Sequence, residues 1–142
     1  MISPSHFHPM LVHFPIALVT IGFVAELATI FIKKEVCFPK VSFYLLIAGT
    51  LSAICAWLTG VLFTAEMSGS AGEIKETHEL FAMITVFLLL LTSVLQVYIQ
   101  IRHSKNKKLQ WLSFILYAFA TVSVTITGFF GGTLVYNYMM PL

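Results

Sequence analysis

Charged side chains are scarce in this sequence. They make up 10% of its 142 residues, whereas 58% of the residues are hydrophobic and 14% are aromatic. Soluble globular domains carry about 25% charged residues. The composition therefore excludes an ordinary soluble domain and favours a protein of the lipid bilayer.

The sequence also lacks the patterns of common enzymes and of thiol redox sites. Its two cysteines, Cys37 and Cys55, form no CxxC or CxxCH motif, which excludes a vicinal redox pair and covalent haem attachment. It contains no paired carboxylates, no Ser-His-Asp set and no phosphate-binding loop, so an enzyme is the least supported class. The basic run KNKK at 105–108 has no nucleic-acid motif beside it, and we interpret it as a membrane anchor.

Four long apolar segments occupy most of the chain, at 10–32, 41–65, 78–101 and 109–138. Each can cross about 30 Å of hydrocarbon as a helix. Ser70 and Glu73 resemble a capping box that starts the third helix about two turns before His78. The first segment contains Glu26 and follows no basic residue, so we expect it to remain as a span rather than be cleaved as a signal. The sequence predicts one all-α domain, an up-and-down bundle of four transmembrane helices.

Seven of the eight basic residues lie in the two loops that join the first span to the second and the third to the fourth. They are Lys33, Lys34, Lys40, Arg102, Lys105, Lys107 and Lys108. The positive-inside rule places these loops on the cytoplasmic side. Both termini and the loop at 66–77 are then expected on the outer side of a bacterial inner membrane.

The two halves of the sequence resemble each other weakly, as in two repeated hairpins. A histidine stands near the outer start of the first helix of each half, at His13 and His78. Each second helix carries Thr-Gly near its outer end, at 59–60 and 127–128. If the helices follow one another around a square, the first and third share a diagonal. We therefore expect His13 and His78 to face each other.

Small and polar residues recur at helical spacing on three of the segments. On the third, His78, Thr85 and Thr92 lie on one stripe, which predicts a face turned toward protein. The second segment has a flat stripe that includes Gly60, and the fourth has one that includes Gly128. Flat faces of this kind suit either close helix packing or a flat ligand.

Two motifs carry a resemblance to a known family. HPMLVHFPIAL at 8–18 and GFFGGTLVY at 128–136 resemble the predicted membrane proteins of domain-of-unknown-function family 2231, over nearly the whole chain. The resemblance implies a small four-span protein, sometimes joined to redox domains such as cytochrome c or Rieske-like modules. The family's biochemical role is unassigned, so the resemblance supports the fold better than the function.

The leading functional hypothesis is a b-type haem with His13 and His78 as axial ligands. Histidine is a common ligand of haem iron, and ionisable groups in a membrane span are functional candidates. His8 is a further possible metal ligand. Clearance for the porphyrin is expected at Gly60, Gly128 and Gly132, and a dry wall from Phe14, Phe63, Phe81 and Phe129. The protein would then carry electrons, with a redox partner or as a subunit of a respiratory complex.

Two other classes remain open. Outer-face imidazoles and thioethers suit copper handling, and the residues concerned are His6, His8, His13, Met139 and Met140. Alternatively, the protein is a cofactor-free anchor subunit, whose small-residue faces bind partner helices of a respiratory or transport complex. A homo-oligomer is compatible with any of these classes. Glu26 suits a proton path or a subunit contact, or is a protonated acid bonded to a neighbour.

Overall fold

The computed structural model describes residues 7–32, 35–64 and 66–138, and for Phe7 the backbone alone. Over these residues it contains five helices: α1 (Phe7–Leu11), α2 (His13–Phe31), α3 (Cys37–Phe63), α4 (Ser70–Ile101) and α5 (Lys107–Asn137). Four stretches are long and apolar enough to cross a membrane: His8–Phe31, Cys37–Phe63, Ser70–Ile101 and Lys107–Asn137. The predicted all-α bundle of four spans is confirmed, although α3 and α4 begin earlier than the apolar segments suggest.

The first span is interrupted at Val12, between α1 and α2. Pro15 has no N–H to donate to the carbonyl of Leu11, and its ring crowds that carbonyl. The Val12 N–H still donates to the His8 carbonyl at 3.1 Å, so the chain continues from α1 into α2 with little change of course. α1 thus extends the first span, and its His8 contacts α3.

The start of α4 differs from the predicted capping box. Ser70 is the first helical residue, and the cap position belongs to Gly69, whose φ is 68°. The Glu73 N–H donates to the Gly69 carbonyl at 3.2 Å. A positive φ favours glycine, which explains why the turn precedes Ser70 rather than including it. The helix still begins about two turns before His78, as predicted.

The four spans follow one another around a square. α2 packs on α3, α3 on α4, α4 on α5, and α5 returns to α2, so α2 and α4 share a diagonal. Packing within the hairpins α2–α3 and α4–α5 is denser than packing between them. Close approach within a hairpin depends on small residues, since a Cβ at Gly49 would lie 2.8 Å from Val19 Cγ2.

The core shows that the two hairpins repeat each other. Val19 and Leu89 are both fully buried and lie 70 positions apart. Leu46 and Tyr117 are likewise fully buried and lie 71 positions apart. Many large apolar side chains are exposed on the outside of the bundle, among them Phe31 and Tyr136, as expected for a surface that contacts lipid. The buried equivalences fix the register of the repeat and hence the partner of each histidine.

Candidate functional site

His8 lies on α1 and reaches across to α3. Its Nδ1 is 2.9 Å from the Ala56 carbonyl and 3.3 Å from the Thr59 hydroxyl. A carbonyl oxygen can only accept, so Nδ1 carries the hydrogen. In the neutral ring, Nε2 then keeps its lone pair.

His78 makes the equivalent contact in the second hairpin. Its Nδ1 lies 2.9 Å from the Thr127 carbonyl of α5, so this ring also donates from Nδ1 and keeps a lone pair on Nε2. The accepting carbonyls, Ala56 and Thr127, are 71 positions apart, the same separation as Leu46 and Tyr117. Both imidazoles are thus oriented by the same kind of hydrogen bond, from Nδ1–H to a backbone carbonyl of the next helix.

A glycine one turn beyond each accepting carbonyl provides space for the imidazole. A Cβ at Gly60 would lie 2.9 Å from Cε1 of His8, and a Cβ at Gly131 would lie 3.1 Å from Cε1 of His78. Distances this short leave no room for a methyl group without movement of the ring. The sequence prediction paired Gly60 with Gly128, whereas the structure pairs Gly60 with Gly131.

The two rings meet between the hairpins. Their centroids are 6.2 Å apart, and their planes are nearly perpendicular at 82°. Both side chains are half-buried. The pair joins helices that share a diagonal, so the predicted meeting of two histidines across the bundle occurs with His8 in place of His13.

The expectation that His13 faces His78 is wrong. His13 is exposed, and its Nδ1 contacts the Pro9 carbonyl of its own chain segment at 2.8 Å. Five residues of helix correspond to a rotation of about 140°, so His8 and His13 cannot face the same neighbour. Because α1 extends the first span, it is the earlier histidine that reaches the diagonal.

The other glycines and phenylalanines that the sequence analysis placed around the haem lie in different environments. Gly128 lies against Ile16, whose Cδ1 would be 3.0 Å from an added Cβ, whereas a Cβ at Gly132 would meet nothing within 4 Å. Phe14 is 58% exposed. Phe81 is half-buried and stacks on Phe130 with centroids 6.0 Å apart. Clearance at Gly60 and Gly128 is therefore used by His8 and Ile16.

Lys75 is a feature that the sequence analysis missed. It is only 6% exposed, and its Nζ lies 2.9 Å from Glu79 Oε1 and 3.4 Å from Glu66 Oε2. It precedes His78 by one helical turn on the same face of α4. The signal available in the sequence was the spacing of Lys75 and Glu79, which suits an (i, i+4) ion pair.

Hydroxyl groups continue the polar face from His78 toward the bundle centre. Thr85 Oγ1 lies 2.8 Å from Ser123 Oγ and 3.2 Å from Thr127 Oγ1. The Thr127 hydroxyl also donates to the Ser123 carbonyl at 2.9 Å. These bonds join α4 to α5 and hold the backbone whose carbonyl orients His78, which confirms that the polar stripe of the third span faces protein.

Metal-binding clusters of the kind expected for copper handling do not occur within the described parts of the chain, where no group of three or more His, Cys, Asp or Glu residues converges. Three residues of that hypothesis, His6, Met139 and Met140, lie outside the described residues.

Comparison with known proteins gives a family and nothing more specific. A family model described as "Predicted membrane protein (DUF2231)" matches residues 4–141. Comparisons with curated proteins and with solved structures gave no match. The chain thus belongs to the DUF2231 family of predicted membrane proteins.

Proposed function

We propose that this protein is a membrane electron carrier that binds one haem b, and that His8 and His78 would hold its iron. The observation that carries the proposal is the pair of imidazoles, 6.2 Å apart between centroids, with both Nδ1 atoms bonded to backbone carbonyls. Backbone carbonyls commonly orient histidine ligands in this way, since the bond to Nδ1–H directs Nε2 to the metal.

The spacing of the rings suits a single iron between them. Metal–nitrogen bonds of histidine are about 2.0 Å long, so two imidazoles on opposite sides of one ion have centroids roughly 6 Å apart. The donor set also fits, because two neutral imidazoles ligate haem iron in low-spin electron carriers. A flat group held by His8 from one hairpin and His78 from the other would lie between the hairpins, where packing is sparser.

Such a group supplies one-electron redox chemistry, and the chain's own residues set its surroundings. The Ala56 and Thr127 carbonyls fix the ring orientations. Phe81 and Phe130 contribute apolar surface near His78, and the Lys75–Glu79 ion pair places fixed charges one turn away. As an electron carrier, the protein would need a redox partner or the neighbouring subunits of a respiratory complex.

Haem content of purified protein tests the proposal. Protein from cells supplied with haem should show a low-spin b-type spectrum that sharpens on dithionite reduction, with about one haem per chain. His78→Ala should lose this spectrum, whereas His103→Ala should keep it, since His103 is exposed in the loop between α4 and α5. Wild-type protein without haem under these conditions would overturn the proposal.

A bare copper ion between His8 and His78 is the second candidate. The observation that favours it is that Gly60 and Gly128 are already covered by His8 and Ile16, which leaves less clearance for a macrocycle than the sequence suggested. Imidazole nitrogen suits copper as well as iron. Stoichiometric copper, lost in both His8→Ala and His78→Ala and accompanied by no porphyrin absorption, would favour this candidate.

A further inference from the structure

A cavity of about 500 Å³ opens at the opposite end of the bundle from His8 and His78. It lies mainly between α2, α4 and α5, with Pro39 of α3 at one edge. Among the described residues that line it, Glu26 is the only acidic one. Glu26 lies 18 positions after His8, which corresponds to about 27 Å of helix. The volume lies in the range of small-molecule sites.

The cavity walls combine one carboxylate with amides and aromatic rings. Glu26 is half-buried and belongs to the first membrane-spanning helix. Gln96 and Gln110 line the cavity from α4 and α5, and Trp111 and Phe114 supply aromatic surface. Ionisable residues within a span are costly, so one that lines a cavity is a functional candidate.

One basic residue also lines the cavity. Lys107 is the first residue of α5, and it is exposed, so its charge is hydrated at the cavity rim. The two ion pairs found among the described residues both belong to Lys75, at the other end of the bundle. Over the described residues, the Glu26 carboxylate therefore has no ion-pair partner.

A buried hydroxyl lies one helical turn from Glu26 along α2. Tyr117 is fully buried, and its hydroxyl has no hydrogen-bond partner among the residues that the structure describes. The hydroxyl lies against Gly22, one turn from Glu26 on α2. Its ring packs on Phe23, which in turn packs on Phe114 of the cavity wall, with centroids 5.5 Å apart at each step.

We infer that this cavity is a binding site for small lipophilic organic cations, with Glu26 as the counter-ion. A half-buried carboxylate is stabilised by a cation, aromatic faces attract cations, and amide oxygens accept hydrogen bonds from ammonium groups. Entry from the bilayer suits an apolar cation, because Trp111 is 57% exposed and Ile30 is 38% exposed beside the cavity. The site is separate from the histidine pair and does not depend on haem.

Titration of the purified protein with tetraphenylphosphonium tests the inference. Trp111 lines the cavity, whereas Trp57 lies on α3 away from it, so Trp57→Phe leaves one fluorescent reporter at the site. In this background we expect saturable binding that Glu26→Gln weakens by at least about tenfold, since the substitution removes the counter-charge. Glu35→Gln is the matched control, because Glu35 is exposed and does not line the cavity.

Tetraphenylborate has the same shape and the opposite charge, so it should not compete. Glu26→Asp, which keeps the charge, should retain binding to within a few-fold and guards against a folding defect in Glu26→Gln. Equal affinity for the two probe ions, or unchanged tetraphenylphosphonium binding in Glu26→Gln, overturns the inference. His78→Ala should bind the cation as the wild type does. The cation site can therefore be tested whether or not the haem proposal holds.

Discussion

His8 and His78 lie 70 positions apart in the sequence, yet their imidazole centroids are 6.2 Å apart and their ring planes are inclined at 82°. Each ring is held by a carbonyl of the adjoining helix in its own hairpin. The meeting therefore depends on how the two hairpins pack against each other, and it identifies which histidine of the HPMLVH motif belongs to the site.

Alanine substitution of His8 and of His13, one at a time, tests which of the two histidines belongs to the site. His8→Ala should remove the haem spectrum, because it deletes one of the two imidazole nitrogens proposed to hold the iron. His13→Ala should leave both the spectrum and the haem ratio unchanged, since His13 is exposed and bonded only to the Pro9 carbonyl. The measurement is the haem-to-protein ratio of matched preparations. Loss of haem in His13→Ala with retention in His8→Ala would restore the assignment made from the sequence.

The glycines beside the imidazoles provide a second test. Alanine at Gly60 or Gly131 places a methyl group 2.9 Å or 3.1 Å from a histidine Cε1, so the ring must move. Overpacking of this kind costs about 1–3 kcal/mol and should lower haem retention on dialysis.

Gly132→Ala is the control for these substitutions, since its Cβ would meet nothing within 4 Å. It should retain haem like the wild type. Equal haem loss from Gly131→Ala and Gly132→Ala would show that the effect is general to the helix and does not act through His78.

The hydrogen bond between Thr50 of α3 and Ser93 of α4 should contribute measurably to the free energy of unfolding. Ser93 Oγ lies 2.8 Å from Thr50 Oγ1, whose own hydrogen goes to the Leu46 carbonyl, so Ser93 donates to Thr50. A double-mutant cycle of Thr50→Val and Ser93→Ala should give a coupling energy of about 0.6 kcal/mol, the average for polar pairs in membrane proteins. Reversible unfolding in detergent measures it.

Ser52 serves as the comparison for that cycle, because its hydroxyl bonds to the Gly49 carbonyl of the same helix. Ser52→Ala and Ser93→Ala should be additive. Zero coupling between Thr50 and Ser93 would contradict their assignment as a bonded pair.

Orientation in the membrane stays a prediction from charge, and cysteine labelling tests it. Cys37 is exposed at the start of α3, at the end of the bundle that carries the basic loops. A membrane-impermeant maleimide should label it only after permeabilisation, as expected for a cytoplasmic position. Cys55 lies within the span and should be protected from an aqueous reagent.

A cysteine introduced by Ser68→Cys, in a Cys37→Ser background, should be labelled without permeabilisation. Ser68 is exposed in the loop before α4, at the other end of the bundle. It should react in intact spheroplasts. The reverse pattern, with Cys37 labelled and Ser68→Cys protected, would invert the topology.

Composition and segment length were sufficient to predict the four spans, because the bilayer leaves few alternatives to a helix that buries its own backbone polar groups. The diagonal arrangement followed from short connections. The register of the repeat could not be predicted in the same way, since both His8 and His13 lie within three residues of the predicted start of the first span at residue 10. Only the buried equivalences, such as Val19 with Leu89, distinguish the two.

Contacts formed by distant residues were also inaccessible from the sequence. The sequence showed Lys75 only as the one basic residue outside the two basic loops, whereas in the structure it is buried on α4 and forms ion pairs with Glu79 and Glu66. The glycine stripes were compatible with packing or with a ligand, and side chains from neighbouring helices decide between these uses. Gly60 is covered by His8 and Gly128 by Ile16.

Electron paramagnetic resonance of the oxidised, purified protein tests the central claim most directly, because it reports both the iron's axial ligands and the relative orientation of their planes. With His8 and His78 at 82° to each other, the account predicts a low-spin ferric signal dominated by a single large g value, typical of two nearly perpendicular imidazoles. The signal should vanish in both His8→Ala and His78→Ala. A high-spin signal, or no haem signal from protein produced with ample haem, would contradict the account.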